Sequence, residues 1–130
     1  MSKTPRPTEA ELAILGALWR HPQGATVREV HADLGERTGY TTILKLMQIM
    51  TDKGLLMRDT APRGRSAAHV YRAAHPEAAT QRRLAADLMS RAFGGSARKL
   101  VAAALSSRRA SPAELDEIRR LIDQMKGDAS

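Results

Sequence analysis

The first half of the sequence shows a series of short helical patterns, each ended by glycine or proline, followed by two short strand patterns. The first helical pattern ends at residues 21–24 (His-Pro-Gln-Gly), the second at Gly35 and the third at Gly54. Glycine admits left-handed backbone and proline lacks the N–H that a helix needs, so both residues end helices. A chain interrupted at these intervals is predicted to form a small cluster of short helices.

Two capping-box spacings mark the first helix starts, at Thr8 with Glu11 and at Thr26 with Glu29. In this motif the threonine hydroxyl and the glutamate carboxylate each accept a backbone N–H of the first turn. A third helix is predicted from Tyr40 to about Lys53. Apolar residues at helical spacing predict the core faces of these helices: Leu12, Leu15, Leu18 and Trp19, then Val27, Val30 and Leu34, then Ile43, Leu46, Met47 and Met50.

Strand-like segments at residues 55–58 and 69–72 flank a polar, Pro- and Gly-containing segment, which predicts a hairpin with a basic tip. Three short helices followed by a hairpin is the element order of a winged helix. The predicted fold is therefore mainly α with a small β-hairpin, and it comprises a winged helix-turn-helix over residues 7–75. Residues 76–126 are predicted to be a helical dimerisation domain.

Within that second domain, a helix is predicted after His75, a break at Gly94 and Gly95, and two further helices starting near Ser96 and Ser111. The predicted self-association residues are the apolar positions of these helices: Leu84, Leu88, Leu100, Val101, Leu105, Leu115, Ile118, Ile122 and Met125. The last four follow a 3-4-3 spacing, which is typical of a helix face that requires a partner surface. These apolar positions therefore predict that the C-terminal helices associate with a partner chain.

Charge is unevenly distributed along the chain, whose net charge is +7. Residues 1–39 hold five basic and five acidic side chains, whereas residues 40–75 hold six basic and two acidic ones. An excess of this kind favours an acidic polymer as partner. A second basic group lies between residues 80 and 110, although solvated helix faces are often basic as well.

The outer face of the third helix is predicted to carry Thr41, Leu44, Lys45, Gln48 and Asp52. Its polar side chains suit hydrogen bonds to base edges, and an exposed Leu44 suits a thymine methyl group. The alternative is an ordinary solvated helix face. The predicted DNA contacts are Arg6, Arg28, Tyr40, Thr41, Thr42, Leu44, Lys45, Gln48, Arg58, Arg63 and Arg65.

Arg63 and Arg65 flank Gly64 at the hairpin tip, where guanidinium groups suit phosphate contacts; the alternative is an idle solvated loop. Arg58 is expected to support them. Arg6 in an extended arm and Arg28 in the first turn of the second helix are further candidates. Tyr40 is expected either to hydrogen-bond a phosphate or to pack its ring against the second helix.

Several classes of protein are disfavoured by composition. The chain has no cysteine, and its four histidines show no metal-ligand spacing, so neither a metal site nor a cofactor is predicted. No nucleophile, base and orienter combine into a catalytic constellation, so no enzyme is predicted. The absence of a long apolar run argues against a membrane partner, and the lack of a signal sequence leads us to expect a cytoplasmic protein.

Several segments together resemble the penicillinase-repressor family over about residues 7–126: Glu11-x-x-Ile14-Leu15-x-x-Leu18-Trp19, Thr26-Val-Arg-Glu-Val30, Tyr40-Thr-Thr-Ile43, Lys53-Gly-Leu-Leu56, Gly64-Arg65 with Tyr71, and Phe93-Gly-Gly-Ser96 before Leu100-Val101. The resemblance implies a homodimeric repressor that binds a palindromic double-stranded DNA operator and controls resistance or stress genes. It also implies winged helices on DNA and interlocked C-terminal helices.

The sequence departs from the family at three points. Regulated members are cut at an Asn-Phe bond, where this chain has Asp87-Leu88, and the copper-responsive branch uses cysteines that this chain lacks. The third helix is also less basic at Thr41 and Leu44 than in well-known members. The operator, the regulated genes and an inactivating protease or ligand stay open, and a winged-helix module that binds an acidic protein remains the alternative function.

Overall fold

The computed structural model describes residues 6–35, 37–59 and 69–129. They form, in chain order, helices α1 (Glu9–Trp19), α2 (Val27–Leu34) and α3 (Tyr40–Asp52), strands β1 (Leu56–Arg58) and β2 (Tyr71–Ala73), and helices α4 (Glu77–Ala92), α5 (Ala97–Ser107) and α6 (Pro112–Ala129). This order confirms the predicted fold class. The predicted hairpin tip with Arg63, Gly64 and Arg65 lies outside the described residues.

Both predicted capping boxes are present. At α1, the Thr8 N–H donates to Glu11 Oε1 at 2.9 Å and the Glu11 N–H donates to Thr8 Oγ1 at 3.2 Å. At α2, Thr26 and Glu29 make the same reciprocal pair, at 2.9 and 3.1 Å. Each box satisfies two first-turn donors and fixes the residue at which its helix begins.

The strands pair antiparallel, with Leu56 opposite Ala73 and Arg58 opposite Tyr71. A third segment joins them, because Ala25 and Tyr71 exchange backbone hydrogen bonds of 2.9 and 2.8 Å. The turn before Ala25 is made by Gly24, whose φ of +95° favours glycine. The loop between α1 and α2 is thereby attached to the hairpin.

A single core joins α1, α2, α3 and the hairpin. Its buried members are Ile14, Leu15, Ala17, Leu18, Ala25, Val27, Val30, Ile43, Met47, Met50, Leu55, Leu56 and Tyr71. Leu12, Trp19, Leu34 and Leu46 are partly buried and pack against it, and the Trp19 Nε1–H donates to the His75 carbonyl at 3.2 Å. Burial of each large apolar side chain contributes about 1.5–3 kcal/mol, so this core is the main source of stability in the first half of the chain.

The three C-terminal helices differ from the first three in that none of their described side chains is buried. The described residues up to Leu84 belong to one compact unit and those from Ala85 onward to a second, whereas the predicted division falls after His75. Ser96 caps α5 by accepting the Lys99 N–H at 3.1 Å, and Ser111 accepts the Glu114 N–H at the start of α6. Among residues 85–128 no side chain is buried. Isolated helices of this length are marginally stable without a packed face.

Candidate nucleic-acid interface

The third helix has two chemically distinct faces. Ile43, Met47 and Met50 are fully buried in the core. The exposed residues of the helix are Tyr40, Thr41, Thr42, Lys45, Gln48, Ile49 and Asp52. The predicted core face of α3 is thereby confirmed. The opposite face presents a continuous, mainly polar row of exposed side chains.

The expected exposure of Leu44 is wrong. Leu44 is only partly exposed and packs against the core, as does Leu46. Because α3 contacts both neighbouring helices and β1, its apolar arc is wider than the row used for the prediction, and Leu44 lies at the edge of that arc. The exposed apolar residue is instead Ile49, at 39% exposure. Sequence reasoning assigned it no role, although it follows Lys45 by one helical turn.

The N-terminus of α3 lacks the capping side chain that α1 and α2 have at their N-cap positions. Its N-cap residue is Gly39, which has no side chain to accept a first-turn N–H, and no acidic residue lies in that turn. Both α1 and α2 carry a capping threonine and a first-turn glutamate. First-turn amides and the helix dipole attract anions, so an uncapped N-terminus beside exposed threonines suits a phosphate.

Tyr40, the first residue of α3, contacts α2. Its ring meets the His31 ring edge to face, with the centroids 6.0 Å apart and the planes at 82°. The tyrosine remains 44% exposed. The ring therefore packs on the second helix, as one of the two alternatives predicted, while part of the side chain stays accessible.

Two of the six basic side chains in residues 40–75 form ion pairs within the fold. The Lys53 ammonium lies 2.8 Å from Glu11 Oε2, and the Arg72 guanidinium lies 3.6 Å from an Asp59 oxygen. These two cations have partners within the fold. Lys45 and Arg58 are exposed on α3 and β1, where they extend toward solvent.

Two more predicted contacts lie on the surface. Arg28 is exposed in the first turn of α2, and Arg6 is exposed two residues before the Thr8 cap. Arg63 and Arg65, predicted at the hairpin tip, fall outside the described part of the chain. The structure thus brings Tyr40, Thr41, Thr42, Lys45 and Gln48 together on one helix.

Glu11 is the one charged side chain that is buried among the described residues, at 2% exposure. Burial by itself would raise the pKa of this carboxyl group. The hydrogen bonds from Lys53 and Thr8 and the charge of Lys53 act in the opposite direction and outweigh burial, so the pKa lies below the ordinary glutamate value. The carboxylate is therefore held ionised inside the winged-helix unit.

Helices α4, α5 and α6 expose many apolar side chains. The large exposed ones are Leu88, Val101, Leu105, Leu115, Leu121, Ile122 and Met125. Leu84, Leu100 and Ile118 are partly exposed. Leu121 was absent from the predicted set, because it lies outside the 3-4-3 spacing of α6.

Three short helices, a hairpin joined to the loop after α1, and a third helix with a polar outer face together define a protein of the winged helix-turn-helix class. The family model of the penicillinase repressor matches residues 7–124, and the chain belongs to that family. The resemblance predicted from the sequence is thereby confirmed.

Similar proteins are transcriptional regulators. The chain is 27% identical over 128 residues to the transcriptional regulator BlaI of Mycobacterium tuberculosis strain CDC 1551 / Oshkosh, and equally to that of strain ATCC 25618 / H37Rv. Each alignment covers 97% of this chain and 89% of the relative. The family is one of transcriptional repressors. In the described part of the chain, no helix combines the length and apolarity needed to cross a bilayer.

Proposed function

We propose that this chain represses transcription as a homodimer that occupies a palindromic operator in double-stranded DNA, in the cytoplasm. The observation that carries the proposal is the outer face of α3, where Thr41, Lys45 and Gln48 are exposed while the opposite face is buried. Hydroxyl, ammonium and amide groups together can both donate to and accept from base edges in the major groove.

The uncapped N-terminus of α3 complements this face. A phosphate placed there would be bound by first-turn amides that no side chain of the N-cap satisfies. Arg28 and Arg58 are proposed to add phosphate contacts, and Arg63 and Arg65, which lie outside the described residues, are proposed to do so as well. Phosphate contacts fix the position of the protein, and base contacts supply the specificity.

Dimerisation is proposed from the apolar surface of α4 to α6. Leu115, Ile122 and Met125 are 44%, 49% and 63% exposed in a single chain. Extended apolar surface of this kind indicates an interaction site rather than a solvent-facing helix. Two-fold symmetry would then place two α3 helices in successive major grooves, about 34 Å apart. Resistance or stress genes are the proposed targets, in keeping with the family.

The direct test is selection of duplexes from a random-sequence pool by the full-length protein, followed by titration of the selected duplex and a scrambled duplex. We expect a palindromic consensus and tighter binding to the selected duplex. If each subunit neutralises roughly three to five phosphates, the logarithm of the affinity should fall with the logarithm of salt at a slope of about −5 to −9 per dimer. Recovery of no consensus, together with a flat salt response, would instead favour a protein-interaction module.

A further inference from the structure

The buried carboxylate of Glu11 uses both of its oxygens. Oε1 accepts the Thr8 N–H at 2.9 Å, and Oε2 accepts from the Lys53 ammonium at 2.8 Å. The first bond belongs to the capping box of α1. The second joins α1 to the residue that ends α3, 42 positions further along the chain.

Capping alone does not explain why Glu11 is buried. Glu29 occupies the same position in the capping box of α2, makes the same pair of hydrogen bonds, and is exposed. A capping box therefore works in this fold without removing its carboxylate from water. Burial of an ionised group has a cost that a partner must offset, and Glu11 has that partner in Lys53.

Lys53 lies where a cation also stabilises α3. It is the C-cap residue, and its backbone N–H is bonded to the Ile49 and Thr51 carbonyls. A positive charge near this helix end is also favoured by the helix dipole. The Glu11 carboxylate holds the Lys53 ammonium at 2.8 Å and thereby keeps its charge against the protein rather than on the outer face of α3.

Apolar packing by Ile43, Met47 and Met50 holds α3 on the core, but such contacts are non-directional. A hydrogen-bonded ion pair has a preferred distance and direction, and buried polar pairs of this kind fix one arrangement among several compact ones in some proteins. At α3 the ion pair acts at the end opposite to the uncapped N-terminus. A small rotation there would displace Lys45 and Gln48 relative to a groove.

We propose that Glu11 is a positioning residue for operator recognition: through Lys53 it fixes the orientation of α3, and it withholds the Lys53 charge from DNA. The proposal rests on the proposed function of α3 as the recognition helix. It assigns a role in specificity to a buried carboxylate and a partly exposed lysine, neither of which belongs to the exposed row of α3.

The test is a double-mutant cycle of Glu11→Gln, Lys53→Gln and the double variant in the full-length protein. Affinities are measured for a duplex selected by the wild-type protein and for a scrambled duplex of equal composition, at several salt concentrations. Glutamine at position 11 keeps an oxygen for the Thr8 N–H but loses the charge that attracts Lys53. Glu29→Gln, in the exposed capping box, is the matched control.

We expect each single variant to lower the ratio of specific to scrambled affinity about tenfold. The double variant should lower it no further, because each substitution removes the same ion pair. The affinity for scrambled DNA and the salt slope of Lys53→Gln should equal those of the wild type. Glu29→Gln should leave the ratio unchanged.

Two results would overturn the inference. If Lys53→Gln weakens binding to both duplexes alike and makes the salt slope less steep by about 0.9 per subunit, Lys53 is a phosphate contact. If the variants lose thermal stability but keep the wild-type ratio, the pair is purely structural. Should Glu11→Gln fail to fold, Lys53→Gln, at a partly exposed position, decides alone. Failure of the wild type to distinguish the two duplexes would reject the proposed function itself.

Discussion

The backbones of Ala25 and Tyr71 exchange two hydrogen bonds, so the loop between α1 and α2 forms the third segment of the hairpin sheet. The close approach depends on Gly24, where a Cβ atom would lie 2.5 Å from Val70 Cγ1 and 3.0 Å from the Tyr71 carbonyl oxygen. The attachment of the hairpin to the loop between α1 and α2 therefore requires a residue without a side chain at position 24.

Gly24→Ala should destabilise the fold strongly. The substitution combines a positive φ with a steric clash, for which we expect a loss of about 2–5 kcal/mol in the free energy of unfolding. Gly54→Ala is the control, because Gly54 also has a positive φ but open space around the added Cβ. It should lose only about 1–2 kcal/mol. Equal losses in urea titrations of both variants would contradict the clash at Gly24.

Stability should depend on pH through Glu11. Because its pKa is lower in the folded state than the ordinary value of 4.5, the ionised carboxylate stabilises the fold above that pH. This contribution is lost as the pH falls from about 4.5 through the folded pKa. The difference in Tm between the wild type and Glu11→Gln should therefore be largest at neutral pH and shrink in acid. A constant difference from pH 7 to pH 3 would rule out this explanation.

A side-chain cap at the N-terminus of α3 should raise the stability of the fold and lower its affinity for DNA. Gly39→Asp supplies the missing cap at a position with φ of −68° and open space around the added side chain. The free energy of unfolding should therefore rise by about 0.5 kcal/mol. The carboxylate would occupy the place proposed for a phosphate, and affinity for DNA should fall about tenfold. Gly39→Asn is the neutral control, with similar capping and a smaller loss. An unchanged affinity for Gly39→Asp would exclude a phosphate at this helix end.

Ile122→Glu should dissociate the proposed dimer, since association would bury two like charges without partners. Ile122 is half exposed in the single chain, so the winged-helix unit should remain folded. Light scattering should give the mass of a monomer, and operator binding should weaken at least tenfold. Gln124→Glu adds the same charge at an exposed position of α6 outside the apolar stripe and should leave the mass of a dimer. A dimeric Ile122→Glu would place the interface elsewhere.

Local signals in the sequence were sufficient for the helix starts, because the capping boxes at Thr8 and Thr26 depend on residues three positions apart. The contact of Ala25 with Tyr71 could not be predicted, since one paired residue produces no periodicity. The width of the apolar face of α3 depends on how many elements pack around it. The spacing alone therefore assigns Leu44 to the exposed face, whereas it packs against the core. The partnership of Glu11 with Lys53 required the tertiary fold.

The outer face of α3 is proposed to recognise base sequence. Repeated duplex selection with Lys45→Ala and Gln48→Ala tests this, beside Arg20→Ala as an exposed basic control at the end of α1. We predict that Gln48→Ala or Lys45→Ala relaxes the preferred base at defined operator positions, with a loss of about 1–3 kcal/mol for each lost base contact, and that Arg20→Ala keeps the consensus. An identical consensus for the wild type and the three variants would contradict recognition by α3.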